Sequence, residues 1–159
     1  MGGAIFHDGN LLPGDAFRCG EAGHMTLIPD GKPCYCGKIG CVDAYCSARV
    51  LSDLSGGRLE DFFLGLQQNN REYRPVWDTY LKHLAVVINN LHMILDYDIV
   101  LGGYVGSFLT PWLDTIRHLV SERNTFEDDG SFVKLCTYQT GAAAYGAAMD
   151  VMEEFLRTV

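Results

Sequence analysis

Between Gly20 and Ser47 the chain reads GEAGHMTLIPDGKPCYCGKIGCVDAYCS, and no other stretch limits the fold so strongly. Cys34, Cys36 and Cys41 form a Cys-x-Cys-x4-Cys cluster, and His24 precedes it by ten positions. Three thiolates and one imidazole complete a tetrahedral zinc shell with no position left for water, so the pattern predicts a structural metal site. Gly37 and Gly40 lie between the cysteines, where a loop that turns its sulfurs inward needs left-handed backbone or a close approach. His24, Cys34, Cys36 and Cys41 are therefore the expected zinc ligands.

The chain has six cysteines, and in a reducing compartment these point to metal or free thiols rather than disulfides. Cys19, Cys46 and Cys136 lie outside the cluster and are expected as small buried hydrophobes. Cys46, beside the loop, is the best placed to substitute for a ligand. No apolar run approaches the ~18 residues that span a bilayer, and MGGAIFHDGN has neither the basic region nor the apolar stretch of a signal peptide. A cytoplasmic protein without membrane contact is expected. The net charge is −8 and the twelve Lys and Arg residues are scattered, so no basic face is available for phosphates. Direct nucleic-acid contact by this chain is not expected.

At 159 residues the chain suits one domain with its own core. Gly2 to Leu12 reads as a hairpin turning at Asp8-Gly9, a strand edge with nothing ahead of it to cover it. The chain is thus expected to begin inside a larger architecture. Met25 to Ile28 reads as a short strand, and Pro29 to Pro33 as the turn into the metal loop. Helical spacing follows from Val42 to about Leu54, and again at Leu59, Phe62, Phe63 and Leu66. The clearest periodicity runs from Pro75 to Tyr97 through Trp77, Tyr80, Leu81, Leu84, Val87, Ile88, Leu91, Ile94 and Leu95, the stripe of a core or dimer helix. His83 and His92 fall outside that stripe as polar-face or packing residues. Asp98 to Leu101 is a buried-strand candidate, followed by Gly102-Gly103 and a helix carrying Phe108 to Val120. Phe132 to Cys136 is another strand, and a Gly/Ala-rich helix able to approach a neighbour closely closes the chain. Strands alternating with helices indicate α/β with a partly parallel sheet.

Two carboxylates flank the cysteine loop. Glu21 lies three residues before His24 and Asp43 two after Cys41, so an ion tying His24 to Cys41 brings them near each other. Held ready in this way they would accept hydroxyls of a small sugar without an ordering cost on binding. The alternative is that both cap loops or helices. Gly102-Gly103, between a strand and a helix, could admit a phosphate or nucleoside, although neither a GxxxxGK[ST] nor a GxGxxG motif occurs.

The run Gly20-Glu21-Ala22-Gly23-His24, then Pro29-Asp30-Gly31, then Cys34-Tyr35-Cys36-Gly37-Lys38-Ile39-Gly40-Cys41-Val42-Asp43 resembles the signature of the ROK family. That family groups bacterial sugar-responsive repressors with sugar kinases. The resemblance implies the C-terminal lobe of an actin-like, ribonuclease-H-like fold, with a mixed sheet, flanking helices and a zinc loop, over residues 1–159. It implies zinc on His24, Cys34, Cys36 and Cys41, and sugar contact by Glu21, His24 and Asp43. Asp43 departs from the family's glutamate, which draws its carboxylate back by ~1.5 Å.

The family's Asp-x-Gly-Gly-Thr phosphate loop and catalytic aspartate, which belong to its N-terminal lobe, do not occur here. Tyr104 stands where the kinases tend to carry a third glycine. The chain alone is therefore not expected to transfer phosphate, and it has no catalytic residue of its own. The first reading is a sugar-sensing, zinc-stabilised, dimerising effector lobe of a transcriptional regulator, with the helix-turn-helix elsewhere. The rivals are the C-terminal half of a hexose or N-acetylated amino-sugar kinase using ATP and magnesium, and a zinc-stabilised homodimerisation module whose sugar site has decayed.

Overall fold

A computed structural model describes residues 1–158. They fall into two compact units, Met1–Val87 and Ile88 onward, and the boundary lies inside the longest helix.

The first unit opens with the hairpin, β1 (Phe6–His7) antiparallel to β2 (Asn10–Leu11), with Phe6 opposite Leu11. Its two turn residues, Asp8 and Gly9, both have positive φ, the backbone that matches a two-residue turn to the twist of its strands. Met25 to Ile28 does not form the expected strand. It pairs through a single bridge, Thr26 to Cys41, because the Leu27 and Ile28 amides both donate to the Gly40 carbonyl and the ladder cannot advance.

The helix expected from Val42 to Leu54 is two helices, α1 (Asp43–Cys46) and α2 (Ala48–Ser52), separated where Ser47 turns extended at ψ 159°. After Gly56-Gly57 comes α3 (Leu59–Gln67), then α4 (Tyr73–Leu95). The core of this unit is aromatic. Phe62 stacks on Tyr73 at 4.9 Å, Phe63 meets Trp77 edge-on at 5.1 Å, and Trp77 stacks on Tyr80 at 5.3 Å. Such pairs add to the stabilisation from burial itself.

In the second unit, β3 (Ile99–Leu101) runs parallel to β4 (Val133–Leu135). Among the described residues the mixed sheet is thus realised as two separate two-stranded pieces. β3 is only half-buried rather than buried, with Val100 58% exposed, since it pairs on one side alone. The helix expected after Gly103 is interrupted: α5 (Gly103–Gly106), a single turn at Thr110–Trp112, and α6 (Leu113–Ser121). Pro111 lacks the amide a continuous helix needs there. Leu109, Ile116, Val120, Phe132 and Val133 form the core, and the Arg117 guanidinium donates twice to the Val133 carbonyl, at 3.2 and 2.9 Å.

His92 is buried, stacked flat on Phe132 at 3.5 Å with Nδ1 2.9 Å from the Tyr97 carbonyl, which makes it a packing residue. On the last helix, α7 (Ala142–Thr158), Tyr145 stacks on Tyr138 at 4.4 Å, while among the described residues a Cβ at Gly146 would meet nothing within 4 Å and Met149, Phe155 and Leu156 are exposed. No described helix is long and apolar enough to cross a membrane.

Candidate functional site

The metal loop is built by backbone bonds before any side chain acts. Cys34 N–H donates to the Lys38 carbonyl at 2.8 Å, Gly40 N–H to Lys32 at 2.8 Å, and Pro33 bridges to Ile39. Gly40 has φ +78°, and a Cβ there would collide with the Ile28 carbonyl, so this corner admits only glycine. On the far side of the loop Val42 N–H donates to Met25. α1 then hangs from α4 through the buried Tyr80 hydroxyl, which donates to the Cys46 carbonyl at 2.7 Å.

This scaffold gathers one donor atom from each of His24, Cys34, Cys36 and Cys41 within 4.8 Å of one another. The Cys36 and Cys41 sulfurs are 3.8 Å apart, and His24 Nδ1 is 4.0 Å from the Cys34 sulfur. A tetrahedral zinc with Zn–S bonds of ~2.3 Å and a Zn–N bond of ~2.0 Å requires edges of about 3.5–3.8 Å. The donors therefore fit zinc with a contraction of a few tenths of an ångström at the two closest pairs and of up to about 1 Å at the widest.

Electrostatics point the same way. Burial, then the neighbouring Cys36 and Cys34 sulfurs, push the Cys41 thiol up to about 11, while the Lys38 amide leads the groups that lower Cys36. The Cys36 and Cys41 sulfurs lie 3.8 Å apart, a spacing at which a cation between them would favour both thiolates. Cys46 stands outside this donor group; burial and then Asp43 push its thiol up to about 12, and it behaves as core.

Glu21 precedes the single turn Ala22–His24, and Asp43 is the first residue of α1. Neither helix end carries a side-chain cap bond, but Asp43 lies in the first turn of α1, where the alternative reading places it on the helix dipole. Glu21 is exposed. Asp43 is 8% exposed and pairs with the terminal ammonium of Met1. The Tyr35 phenol has its ionisation raised by burial first and then by the charges of Asp43, Cys34, Glu21 and Cys36. The Tyr35 hydroxyl is 3.1 Å from His24 Nε2. Tyr35 was not among the residues singled out from the sequence. The available signal was that a ligating histidine needs a partner for its second nitrogen.

Gly102 and Gly103 lie far along the chain in the second unit. Gly103 has φ +72° and open space around it, whereas a Cβ at Gly102 would lie 3.0 Å from that of Cys136. Tyr104, beside them, is 69% exposed.

Comparison with known proteins gives a consistent picture. The profile of the ROK family matches residues 1–154. An N-acetylmannosamine kinase from Salmonella typhi is 29% identical over 157 residues, covering 94% of this chain and 52% of that enzyme. The chain thus spans about half the length of this curated relative. Among solved structures, a ROK family protein from Streptococcus pneumoniae TIGR4 in complex with sucrose superposes with a TM-score of 0.76 at 21% identity, covering 98% of this chain and 56% of that one. A ROK family transcriptional regulator, a homologue of the E. coli MLC protein, gives 0.67 at 22% identity, covering 84% and 38%. These likenesses establish the actin-like, ribonuclease-H-like α/β fold that the sequence led us to expect.

Proposed function

The chain belongs to the ROK family, and from that premise we propose that it is the zinc-braced, sugar-binding lobe of a longer ROK protein. The observation that carries this reading is the pair of carboxylates Glu21 and Asp43. Glu21 stands immediately before the turn Ala22–His24 and Asp43 opens α1 two residues after Cys41, so both flank the four clustered donors. His24, Cys34, Cys36 and Cys41 would hold the zinc, whose role is to fix the loop. Glu21 and Asp43 would accept sugar hydroxyls, and the shorter Asp43 would favour a ligand that reaches further into the site. The Tyr35 hydroxyl lies 3.1 Å from His24 Nε2, so His24 would meet a sugar hydroxyl through that nitrogen where the phenol gives way.

Two parent proteins are compatible with such a lobe. In the regulator reading it senses sugar as a homodimer and leaves DNA contact to another segment, in keeping with the net charge of −8 and with the likeness to the solved ROK regulator. In the kinase reading it is half of an N-acetylated amino-sugar kinase using ATP and magnesium. The Salmonella typhi relative favours that reading, and the exposed Tyr104 ring at the Gly102-Gly103 turn disfavours it.

Calorimetric titration with N-acetylmannosamine, glucose and sucrose tests the shared claim. Heat is expected with at least one sugar, and Glu21→Gln or Asp43→Asn should weaken binding about tenfold to a hundredfold, as loss of a hydrogen bond to a charged group does. No heat with any hexose or N-acylated amino sugar would support a decayed site instead. A non-hydrolysable ATP analogue then separates the parents: saturable binding in the presence of magnesium favours the kinase, and none favours the regulator.

A further inference from the structure

His24 is the one donor of the set that offers two alternative ligating atoms. It is exposed, as is Cys36, and it stands on a single helical turn with Nδ1 4.0 Å from the Cys34 sulfur. A histidine so placed can rotate its ring and offer either nitrogen, or neither. Besides the Cys34 sulfur, two contacts of Tyr35 oppose this. Its hydroxyl lies 3.1 Å from Nε2, and its ring meets the imidazole edge-on, with centroids 5.3 Å apart and planes at 64°. Tyr35 sits between two ligands, Cys34 and Cys36, on the loop closed by the Cys34–Lys38 backbone bond, so the bonds that place the sulfurs also place the hydroxyl.

We infer that Tyr35 is the positioning residue of the metal centre: by accepting the Nε2 proton of His24 it selects the tautomer and ring orientation that turn Nδ1 to the metal. A ligating imidazole usually donates its second N–H to a carboxylate, a backbone carbonyl or water. Here a side-chain hydroxyl on the ligand loop takes that place. Sugar binding is also touched, because His24 Nε2 is occupied while Tyr35 is seated, and a ligand hydroxyl reaches that nitrogen only by displacing the phenol. The inference rests on the metal reading above.

Tyr35→Phe keeps the ring and removes the acceptor, and at 76% exposure the change leaves the core untouched. Zinc affinity, measured by competition with a chromophoric chelator, should fall about tenfold, the lower end of the effect of losing such a partner. Long-range 1H–15N correlation spectra of the zinc-loaded wild type should show His24 ligating through Nδ1 with a protected Nε2 proton. In Tyr35→Phe that proton should exchange rapidly, and thermal unfolding at the same free zinc should lose no more than the roughly 1.4 kcal/mol that a tenfold drop in zinc affinity carries. A Tyr35→Phe affinity within about twofold of wild type, or ligation through Nε2, overturns the inference and leaves the metal reading standing. A folded, reduced wild type that binds no zinc overturns the metal reading itself.

Discussion

Replacing Gly31 by alanine should loosen the turn that feeds the metal loop, because the added methyl has no room. A Cβ there would collide with the Tyr45 hydroxyl and lie 2.9 Å from the Ile28 carbonyl oxygen. That hydroxyl is not idle. It accepts the Lys32 amide proton at 2.6 Å, and Tyr45 is 6% exposed on α1, two residues from Asp43. Overpacking of this kind costs about 1–3 kcal/mol, and freeing the hydroxyl from Lys32 adds about 0.5–1.5 kcal/mol. A total of roughly 2–4 kcal/mol follows, which in a chain of this size lowers Tm by about 4–16 °C. Tyr45→Phe alone should cost only about 1 kcal/mol, since water can reach the Lys32 amide. It also removes the atom that the new methyl strikes. Combining the two should therefore give less than the sum of the single effects, with an interaction energy of about 0.5–3 kcal/mol. Urea and thermal unfolding of the four proteins measure this directly. Additivity to within about 0.5 kcal/mol, or a Gly31→Ala protein as stable as wild type, would refute the reasoning.

The Tyr80 hydroxyl is the buried tie between α4 and α1, and burial holds its ionisation well above the ordinary tyrosine value. Tyr80→Phe leaves the Cys46 carbonyl without its donor, at about 1–3 kcal/mol or a Tm loss of about 2–12 °C by scanning calorimetry; an unchanged Tm would contradict the tie. His83 meets the Tyr45 ring edge-on at 5.1 Å, and burial, then Lys32, hold its protonation below the usual histidine range. Its folded value lies below the unfolded ~6.5, so the unfolded chain takes up the proton first and stability falls as pH drops through that value, levelling off below the folded one. His83→Asn should therefore lose less stability than wild type between pH 7 and 5 in zinc-saturated thermal melts, and equal slopes would argue against the assignment.

The site was legible in the sequence where its chemistry is local. Four donors within eighteen residues, punctuated by Gly37 and Gly40, can close on one point without long-range help, and the structure brings them to within 4.8 Å. The helix α4 was legible for a related reason, since its apolar stripe repeats through six turns. What the spacing hid depends on competition for backbone partners. The Met25–Ile28 strand fails because two amides share the Gly40 carbonyl, and the helix after Val42 breaks at Ser47 although both halves keep helical periodicity. Tyr35 was hidden for another reason: a single aromatic between two cysteines has no period or motif. Its role shows only when the second nitrogen of His24 is traced to a partner. The Gly/Ala face of α7 suggested a close neighbour, and the described residues supply none for Gly146.

The central claim is that a bound zinc ion holds the loop from His24 to Cys41 closed and so presents Glu21 and Asp43. Metal analysis of the purified, reduced protein tests it most directly. The account predicts about one zinc per chain, lost in Cys36→Ser together with the cooperative unfolding of the loop, because structural zinc contributes its binding free energy to folding. A reduced, folded protein that holds no zinc, and whose thermal unfolding is the same with and without chelator, would contradict it.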